Sequence, residues 1–445
     1  MLRAVNERYS LSLMKLTSFR VEHFKAIDDS TIDVAPLTVL IGPNGGGKSS
    51  LLHALALLGQ TALGNQAGPL TRGSMLDLGT DPHALSREVG EWDVSVTWDH
   101  DLPDIGPGHV RLSYEFQPGG SAVSWVSVDG VHSSGSSFQF EMIAPLASEA
   151  ELTVTSASGT TFTSRWHIER PGPWDTRIAG PYQVIGGNQR VEPWLEEPAL
   201  PQIIDAVNQS ITPQALVSAL GSFIYVPGNR DLPSSSYGLG PQRPSRVYGP
   251  SDLVATLAYD RALRQAVGEW CEKSLGYRVD IDLREGPLLD LVASFDGIST
   301  YNVVNIGAGF AQAIWVATQL EEADRAVHAQ AGRPGGSIVP TIAIEEPELH
   351  LHPQVQRNVI DLLVAGAHSF PVIITTQSEH ALIACLHAVA RGDLTTDDVH
   401  VYYVKDGEAA RRAVTPTGSI EGGLPGFADA DEKELREYVE LLRRK

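Results

Sequence analysis

The chain is short of several things that would assign it to a class at once. Only two of its 445 residues are cysteine, Cys271 and Cys385. They are far apart and have no CxxC partner, which excludes a disulfide framework or a zinc cluster and leaves two reduced, buried thiols as the expectation. No apolar run approaches the ~20 residues that a membrane-spanning helix needs. The first dozen residues carry charges but no apolar block before a cleavage site. The expected setting is therefore cytoplasmic, with no membrane contact. Basic residues are also scarce: 33 Lys and Arg against 54 Asp and Glu leave a net charge of −21. Such a chain has no general attraction for phosphate backbones or anionic lipids. Contact with DNA or RNA would need a local basic patch. The stretch Arg230, Arg243, Arg246 is one candidate, and scattered solvated arginines are the equal alternative. Internal repeats and heptad runs are missing too, which argues against a long coiled coil.

What is present is an ordinary globular composition, 42% hydrophobic and 20% charged, in a chain long enough for a large core. Leu16 to Ile27 alternates as a strand does. LTVLI at Leu37–Ile41 is a continuous apolar run, as expected of a strand buried on both faces. Leu51, Leu52, Ala54, Leu55 and Leu58 recur at helical spacing. From Trp92 to Trp166, segments such as DVSVTWD, HVRLSYEF and ELTVTSASG alternate between Gly, Pro and Ser clusters and read as antiparallel strands. Residues 167–200 read as connection, Ile203 to Leu220 and Leu253 to Leu275 as helices, and Phe223 to Val226 as a strand. The glycine pair Gly307 and Gly309 precedes a helix over Phe310–Ala326. The remainder alternates strand and helix: Thr341–Glu345, Gln354–Gly366, Pro371–Thr375, Glu379–Ala390, His400–Val404. That pattern indicates an α/β fold with a mostly parallel core sheet flanked by helices, interrupted by an antiparallel β-rich lobe. The expected division is an extension at 1–13, a first core part at 14–80, the lobe at 81–221, a second core part at 222–399 and a small C-terminal unit at 400–445.

Two motifs carry chemistry. Gly42-Pro-Asn44-Gly45-Gly46-Gly47-Lys48-Ser49 matches GxxxxGK[ST] between an apolar strand and a helix, the context that the P-loop of a nucleoside-triphosphate-binding fold requires. Phosphate oxygens need inward-pointing N–H groups that side chains would block, so glycines are demanded there. The following helix aims its positive end at the anion. Lys48 would neutralise the β/γ-phosphates, and the Ser49 hydroxyl is a hard oxygen suited to Mg²⁺. Asn44 to Ser50 together form the expected ATP-binding segment. The second motif, Thr341-Ile-Ala-Ile-Glu345-Glu346-Pro-Glu348, is an apolar strand ending in carboxylates. Ligands of parallel sheets lie at such strand ends, so Glu345 and Glu346 would sit beside the phosphate loop if the two strands are neighbours. Glu345 is assigned to the Mg²⁺ shell and Glu346 to the attacking water as general base. His350 and His352 with the nearby glutamates could be read as a metal site, but four groups would have to turn inward from one irregular segment, and a contact loop is the better reading. After the strand at Val372–Thr376, Gln377 can hydrogen-bond a γ-phosphate or its water but cannot take a proton. Ser378 is expected to cap the next helix.

Together these motifs resemble the ABC-type ATPase heads of the RecF and SMC group. Within it they are most similar to the compact AAA-like ATPases found in prokaryotic antiviral operons of the Septu, retron and overcoming-lysogenization-defect kind. FRVEHFKAI resembles the strand before the phosphate loop, GPNGGGKSS the loop itself, Asn305–Leu320 the signature segment, and IEEPELHLHP the carboxylate motif. FIYVPGNRDLP is similar to a strand-plus-arginine element and singles out Arg230. The resemblance covers roughly residues 15–60 and 222–405. It implies Mg²⁺-dependent ATP hydrolysis and a homodimer or higher oligomer in which Gly307 and Gly309 present backbone N–H groups to the ATP of the other subunit. It also implies a separate effector protein, such as a nuclease, within a defence complex. The chain departs from the pattern twice. Gln377 replaces the usual switch histidine, which bears on hydrolysis rate, and the signature lacks the serine of transporters. The alternatives are an ATP-gated scaffold with negligible turnover and a RecF-like repair ATPase. A nuclease in cis is disfavoured because only about 40 residues follow the last core strand, below domain size, and Asp429, Asp431 and Glu432 lie bunched in a polar turn.

Overall fold

The computed structural model describes residues 13–424 apart from 65–67, 87–90, 103–105, 118–119, 144–148, 160, 173–174, 186–201, 204–212, 229, 231–233, 285, 296, 298 and 331–336. The expected extension at 1–13, save its last residue, and the acidic group Asp429, Asp431 and Glu432 lie outside the described residues, as do residues 204–212 of the helix expected from Ile203.

In chain order, β1 (Leu13–Glu22), β2 (Asp29–Asp33) and β3 (Leu37–Ile41) lead into α1 (Lys48–Leu63). An antiparallel meander follows: β4 (Trp92–Leu102), β5 (Gly106–Gln117), β6 (Gly120–Val131), β7 (Ser137–Ile143), β8 (Glu149–Thr155), β9 (Thr161–Gly172) and β10 (Asp175–Ile185). Then come α2 (Pro213–Gly221), β11 (Phe223–Val226), β12 (Tyr237–Gly238), α3 (Pro250–Tyr259), α4 (Arg261–Leu275), β13 (Arg278–Leu283), β14 (Leu288–Ser294) and β15 (Thr300–Asn302). The chain continues through α5 (Ala308–Gln330), β16 (Ser337–Ile338), β17 (Thr341–Glu345), α6 (Pro353–Ala367), β18 (Val372–Thr376), α7 (Glu379–Arg391), β19 (Val399–Lys405) and β20 (Glu408–Arg412).

The sheet that bears the site has the order β11–β17–β18–β3–β19–β20. All its pairings are parallel except the β19–β20 hairpin. Every residue of β3, β17 and β18 is buried, as their unbroken apolar runs require of strands covered on both faces. The meander forms a second sheet, β10 through β4 in sequence and then β1. Its inner face is an alternating apolar set, Trp92, Val94, Val96 and Trp98 on β4 and Val110, Leu112 and Tyr114 on β5. A small antiparallel sheet of β12, β13, β14 and β15 packs with α3, α4 and α5. The architecture is α/β: a mostly parallel core sheet flanked by helices, with the glycine loop between β3 and α1, and an antiparallel lobe.

The core sheet separates two hydrophobic cores. Leu37, Val39 and Ile41 face the one built with α3 to α7, whereas Leu40 joins α1 and the lobe in the other. Helix α1 is therefore covered on both sides. Its spacing suggested an amphipathic helix, yet even Gln60 and Thr61 are buried. Both are satisfied locally: Thr61 Oγ1 donates to the Leu57 carbonyl at 2.6 Å, and Gln60 donates to the Leu70 and Leu76 carbonyls.

Several expectations change. The strand from Leu16 stops at Glu22, because His23 and Lys25 adopt positive φ in the turn before β2. The helix expected over Leu253–Leu275 is two helices, broken where the Asp260 carboxylate accepts the Leu263 N–H at 2.8 Å and caps α4. The stretch expected as connection from 167 contains the end of β9 and all of β10. Cys271 and Cys385 are buried and free.

Candidate functional site

The glycine loop is shaped by what lies behind it. A Cβ on Gly42 would stand 2.1 Å from the Val404 carbonyl oxygen, and one on Gly46 would stand 2.6 Å from it. The loop thus lies against β19, and the Gly407 N–H holds it there by donating to the Gly46 carbonyl at 3.1 Å. Gly45, at φ +75°, meets nothing on its open side. That is the backbone surface an anion needs for close approach. Lys48 opens α1, is buried, and donates through Nζ to the Gly42 carbonyl at 2.8 Å and the Pro43 carbonyl at 3.0 Å. Burial lowers its pKa, while Glu346, Glu345 and Glu348 push the other way. Asn44 and Ser49 are exposed, whereas Ser50 is buried.

Glu345 ends β17. The structure corrects one spatial expectation here: β18 runs between β17 and β3, so the carboxylate strand and the loop strand are not neighbours. The side chains still meet, because α1 carries residues back over the sheet. The Glu345 carboxylate accepts from the Gly228 N–H at 3.1 Å and from the Ser49 hydroxyl, and His53 Nε2 lies 3.4 Å from Oε1. Lys25 Nζ in turn lies 2.7 Å from His53 Nδ1. Burial alone would raise the Glu345 pKa, but His53, Ser49 and Gly228 together hold it below the usual carboxylate value. Burial, and then Glu345, raise that of the neighbouring Tyr225 phenol. Oε1 of Glu345 is buried, and its 3.4 Å contact with His53 Nε2 is not a well-formed hydrogen bond. A charged oxygen in that condition, beside a hydroxyl, is a donor set that fits a hard divalent cation such as Mg²⁺.

Glu346 adopts φ +42°, unusual for a residue with a side chain. Its N–H donates to the Thr375 carbonyl at 2.9 Å, and its Oε2 accepts from the Gln377 N–H at 3.3 Å. It is thus the backbone of Gln377 that meets Glu346, and the Gln377 residue is exposed. Glu348 is buried and takes a hydrogen bond from the Thr376 hydroxyl. Burial pushes its carboxyl up to about 8; the Thr376 bond opposes this and the Glu346 charge adds to it.

Other expected residues fall elsewhere. His352 Nδ1 accepts the Gln354 N–H at 3.4 Å and so caps α6. Ser378 caps α7 by accepting the Ala381 N–H at 3.3 Å. Gly307, at φ +135°, is open, whereas a Cβ on Gly309 would lie 2.3 Å from the His350 carbonyl oxygen. The start of α5 is therefore pressed onto the carboxylate segment of its own chain. Arg230 is buried, so it cannot share a surface patch with Arg243, which pairs with Asp260 and Glu322. His53 was missed in the sequence. Its signal was position: it lies one helical turn beyond Ser49, as a lone polar ring in an otherwise apolar stretch.

A model of the AAA ATPase domain matches residues 14–93 and 298–382, spans that contain the phosphate loop, Gly307, Gly309 and the carboxylate motif. A search of curated proteins finds no significant match. Among solved structures, an Smc head bound to the C-winged helix domain of ScpA is 12% identical, with 90% of this chain and 98% of that chain covered and a TM-score of 0.42. The SMC head domain from Thermotoga maritima is 11% identical, with 90% and 100% covered and a TM-score of 0.35. The recombination mediator RecF in its ATP form is 10% identical, with 92% and 100% covered and a TM-score of 0.39. Likenesses of this size say nothing about activity. Among the described residues, no helix is long and apolar enough to cross a membrane.

Proposed function

We propose that this chain is a Mg²⁺-dependent ATP hydrolase that works as a nucleotide-driven dimer switch within a multi-protein complex. One observation carries the reading. A glycine loop, the Lys48 ammonium, the Ser49 hydroxyl and two differently held carboxylates converge at the carboxyl edge of one parallel sheet, with a buried Glu345 oxygen that makes no well-formed hydrogen bond. In this reading the loop N–H groups and Lys48 bind the β- and γ-phosphates, and Ser49 and Glu345 hold the Mg²⁺, which neutralises charge on those oxygens when bound. Glu346, oriented by the Gln377 N–H, accepts the proton of the attacking water. Phosphate release by the wild type, with Lys48→Ala as control, tests it. The expected result is a rate that needs Mg²⁺ and falls at least about a hundredfold in the variant, since one preorganised charge contact is commonly worth that much. Equal rates in the two proteins would sink the reading.

A second reading, an ATP-gated scaffold with negligible turnover, is favoured by one feature: at the switch position only a backbone N–H meets Glu346. Tight nucleotide binding without phosphate release would select it. The pairing of subunits, the effector and a role in antiviral defence rest on the resemblance of the motifs. The products of neighbouring genes, tested for co-purification in an ATP-dependent manner, are the direct check.

A further inference from the structure

Arg230 has no part in the chemistry proposed above, yet it is tied in more deeply than any other charged residue near the site. It follows β11 and is 4% exposed. Nη1 donates to the Gln312 side-chain oxygen at 2.5 Å. Nη2 donates to the Glu345 carbonyl at 2.5 Å and approaches the Glu346 carbonyl at 3.3 Å. Gln312 Nε2 returns a bond to the carbonyl of Arg230 itself at 3.4 Å. Gln312 is 3% exposed and lies in the first turns of α5, three residues beyond Gly309. The guanidinium thus joins the helix that follows the glycine pair to the two successive carbonyls at the strained end of β17. A second link runs parallel to it, because Gly309 rests on the His350 carbonyl with no room for a side chain.

We propose that Arg230 is a positioning residue that makes the start of α5 and the Glu345–Glu346 turn move as one body, so that a contact made at Gly307–Gly309 is felt at the Glu346 carboxylate. Glu346 holds a left-handed backbone that a side chain disfavours. Such a conformation persists only when its surroundings over-determine it, and the planar fork of arginine can hold two carbonyls and one amide at fixed angles, which a lysine ammonium cannot. The coupling deepens the proposed function and rests on it for its catalytic consequence, but the mechanical link stands on the hydrogen bonds alone.

Arg230→Lys, Gln312→Leu and the double variant test it, with Gln312→Glu as the conservative change that keeps an acceptor for the guanidinium. Thermal melting establishes that each variant folds, and only folded variants are compared. Two readouts follow. In phosphate release, Arg230→Lys and Gln312→Leu are expected to lose roughly tenfold or more in kcat while nucleotide Kd stays within about threefold, and the double variant is expected to be no worse than the poorer single. Gln312→Glu is expected to recover most of the loss. In hydrogen exchange, Mg-ATP is expected to slow residues 308–314 and 345–350 together in the wild type. In Arg230→Lys and Gln312→Leu it should slow only the second segment. Multiplying losses, an unchanged kcat in both single variants, or joint protection surviving in both would overturn the inference. A wild type without turnover overturns hydrolysis instead, and hydrogen exchange still decides the coupling.

Discussion

The core sheet and the antiparallel lobe use similar strand-forming residues and place their charges in opposite ways. In β17 and β18 everything is buried, and the one charged group is Glu345, at the carboxyl end of β17. In the lobe, partly exposed polar groups alternate with the buried apolar ones along the described parts of β4, β5, β7 and β8, and polar groups answer each other between strands. Arg111 and His109 meet Asp129, and Ser95 and Ser113 meet Asp93. A charge buried at a strand end is expensive unless it is used or paired. A charge on an open sheet face costs little and contributes little. The contrast locates chemistry without reference to any relative, and it predicts very different sensitivities for the two regions.

The largest expected effect lies at the core-sheet edge. Glu346→Gln keeps the shape and the Gln377 contact but cannot take a proton. Turnover should fall about a hundredfold or more while ATP binding persists, and the ATP-bound protein should accumulate as a dimer on a sizing column. Wild-type turnover in this variant would remove Glu346 from its role and erase the difference between the two regions.

Next comes the helix that both regions share. Leu52 is fully buried in α1 between the core sheet and the lobe. Leu52→Ala should cost about 2–5 kcal/mol in urea unfolding, as large-to-small changes in rigid cores do. It should also weaken nucleotide binding, because α1 carries Lys48 and Ser49. A loss below ~1 kcal/mol would mean that the lobe does not brace the helix.

The third test concerns Glu348. Its carboxyl is raised in the folded protein to about 8, above the ordinary value that it has when unfolded. The folded state therefore binds more protons between those values. Its contribution to stability is full below the ordinary carboxylate pKa and is lost as pH rises toward 8. Glu348→Gln should remove that loss, so the drop in melting temperature between pH 6 and pH 8.5 should shrink. An unchanged drop would show that Glu348 is ionised throughout, and the buried edge would then resemble the lobe.

How much of this could be read from residues alone follows the same division. The phosphate loop and the carboxylate strand were legible because local chemistry demands glycines and an apolar run ending in acids. The start of α7 was legible from its capping side chain, Ser378. The break at Asp260 was hidden because the apolar spacing continues across it, and only the cap bond reveals it. β10 was hidden by glycine and proline in the strand, which read as a connection. His53 and the intervening β18 were hidden for a topological reason: sheet order is set by crossovers, and nothing local to β3 or β17 records which strand separates them. Arg230 was singled out by the resemblance of FIYVPGNRDLP, but its charge also read as part of a surface group of three arginines until its burial was known.

The smallest effect belongs to the lobe. Asp129 is buried enough for its pKa to be pushed upward, but His109 and Arg111 together bring it below the ordinary value. This carboxylate therefore adds stability above the unfolded carboxylate pKa and loses it as pH falls through its lower folded value. Arg111 sits 2.5 Å from Asp129 with about a third of its side chain exposed. Arg111→Gln should therefore cost under about 1 kcal/mol at neutral pH, because solvent screens the pair and His109 remains to face the carboxylate. The cost should shrink further in 1 M salt, where the screening length is ~3 Å, and phosphate release should not change. Urea unfolding at low and high salt reads the first two expectations. A loss of several kcal/mol, or a fall in turnover, would mean that the lobe's charged face bears on the site rather than merely facing water.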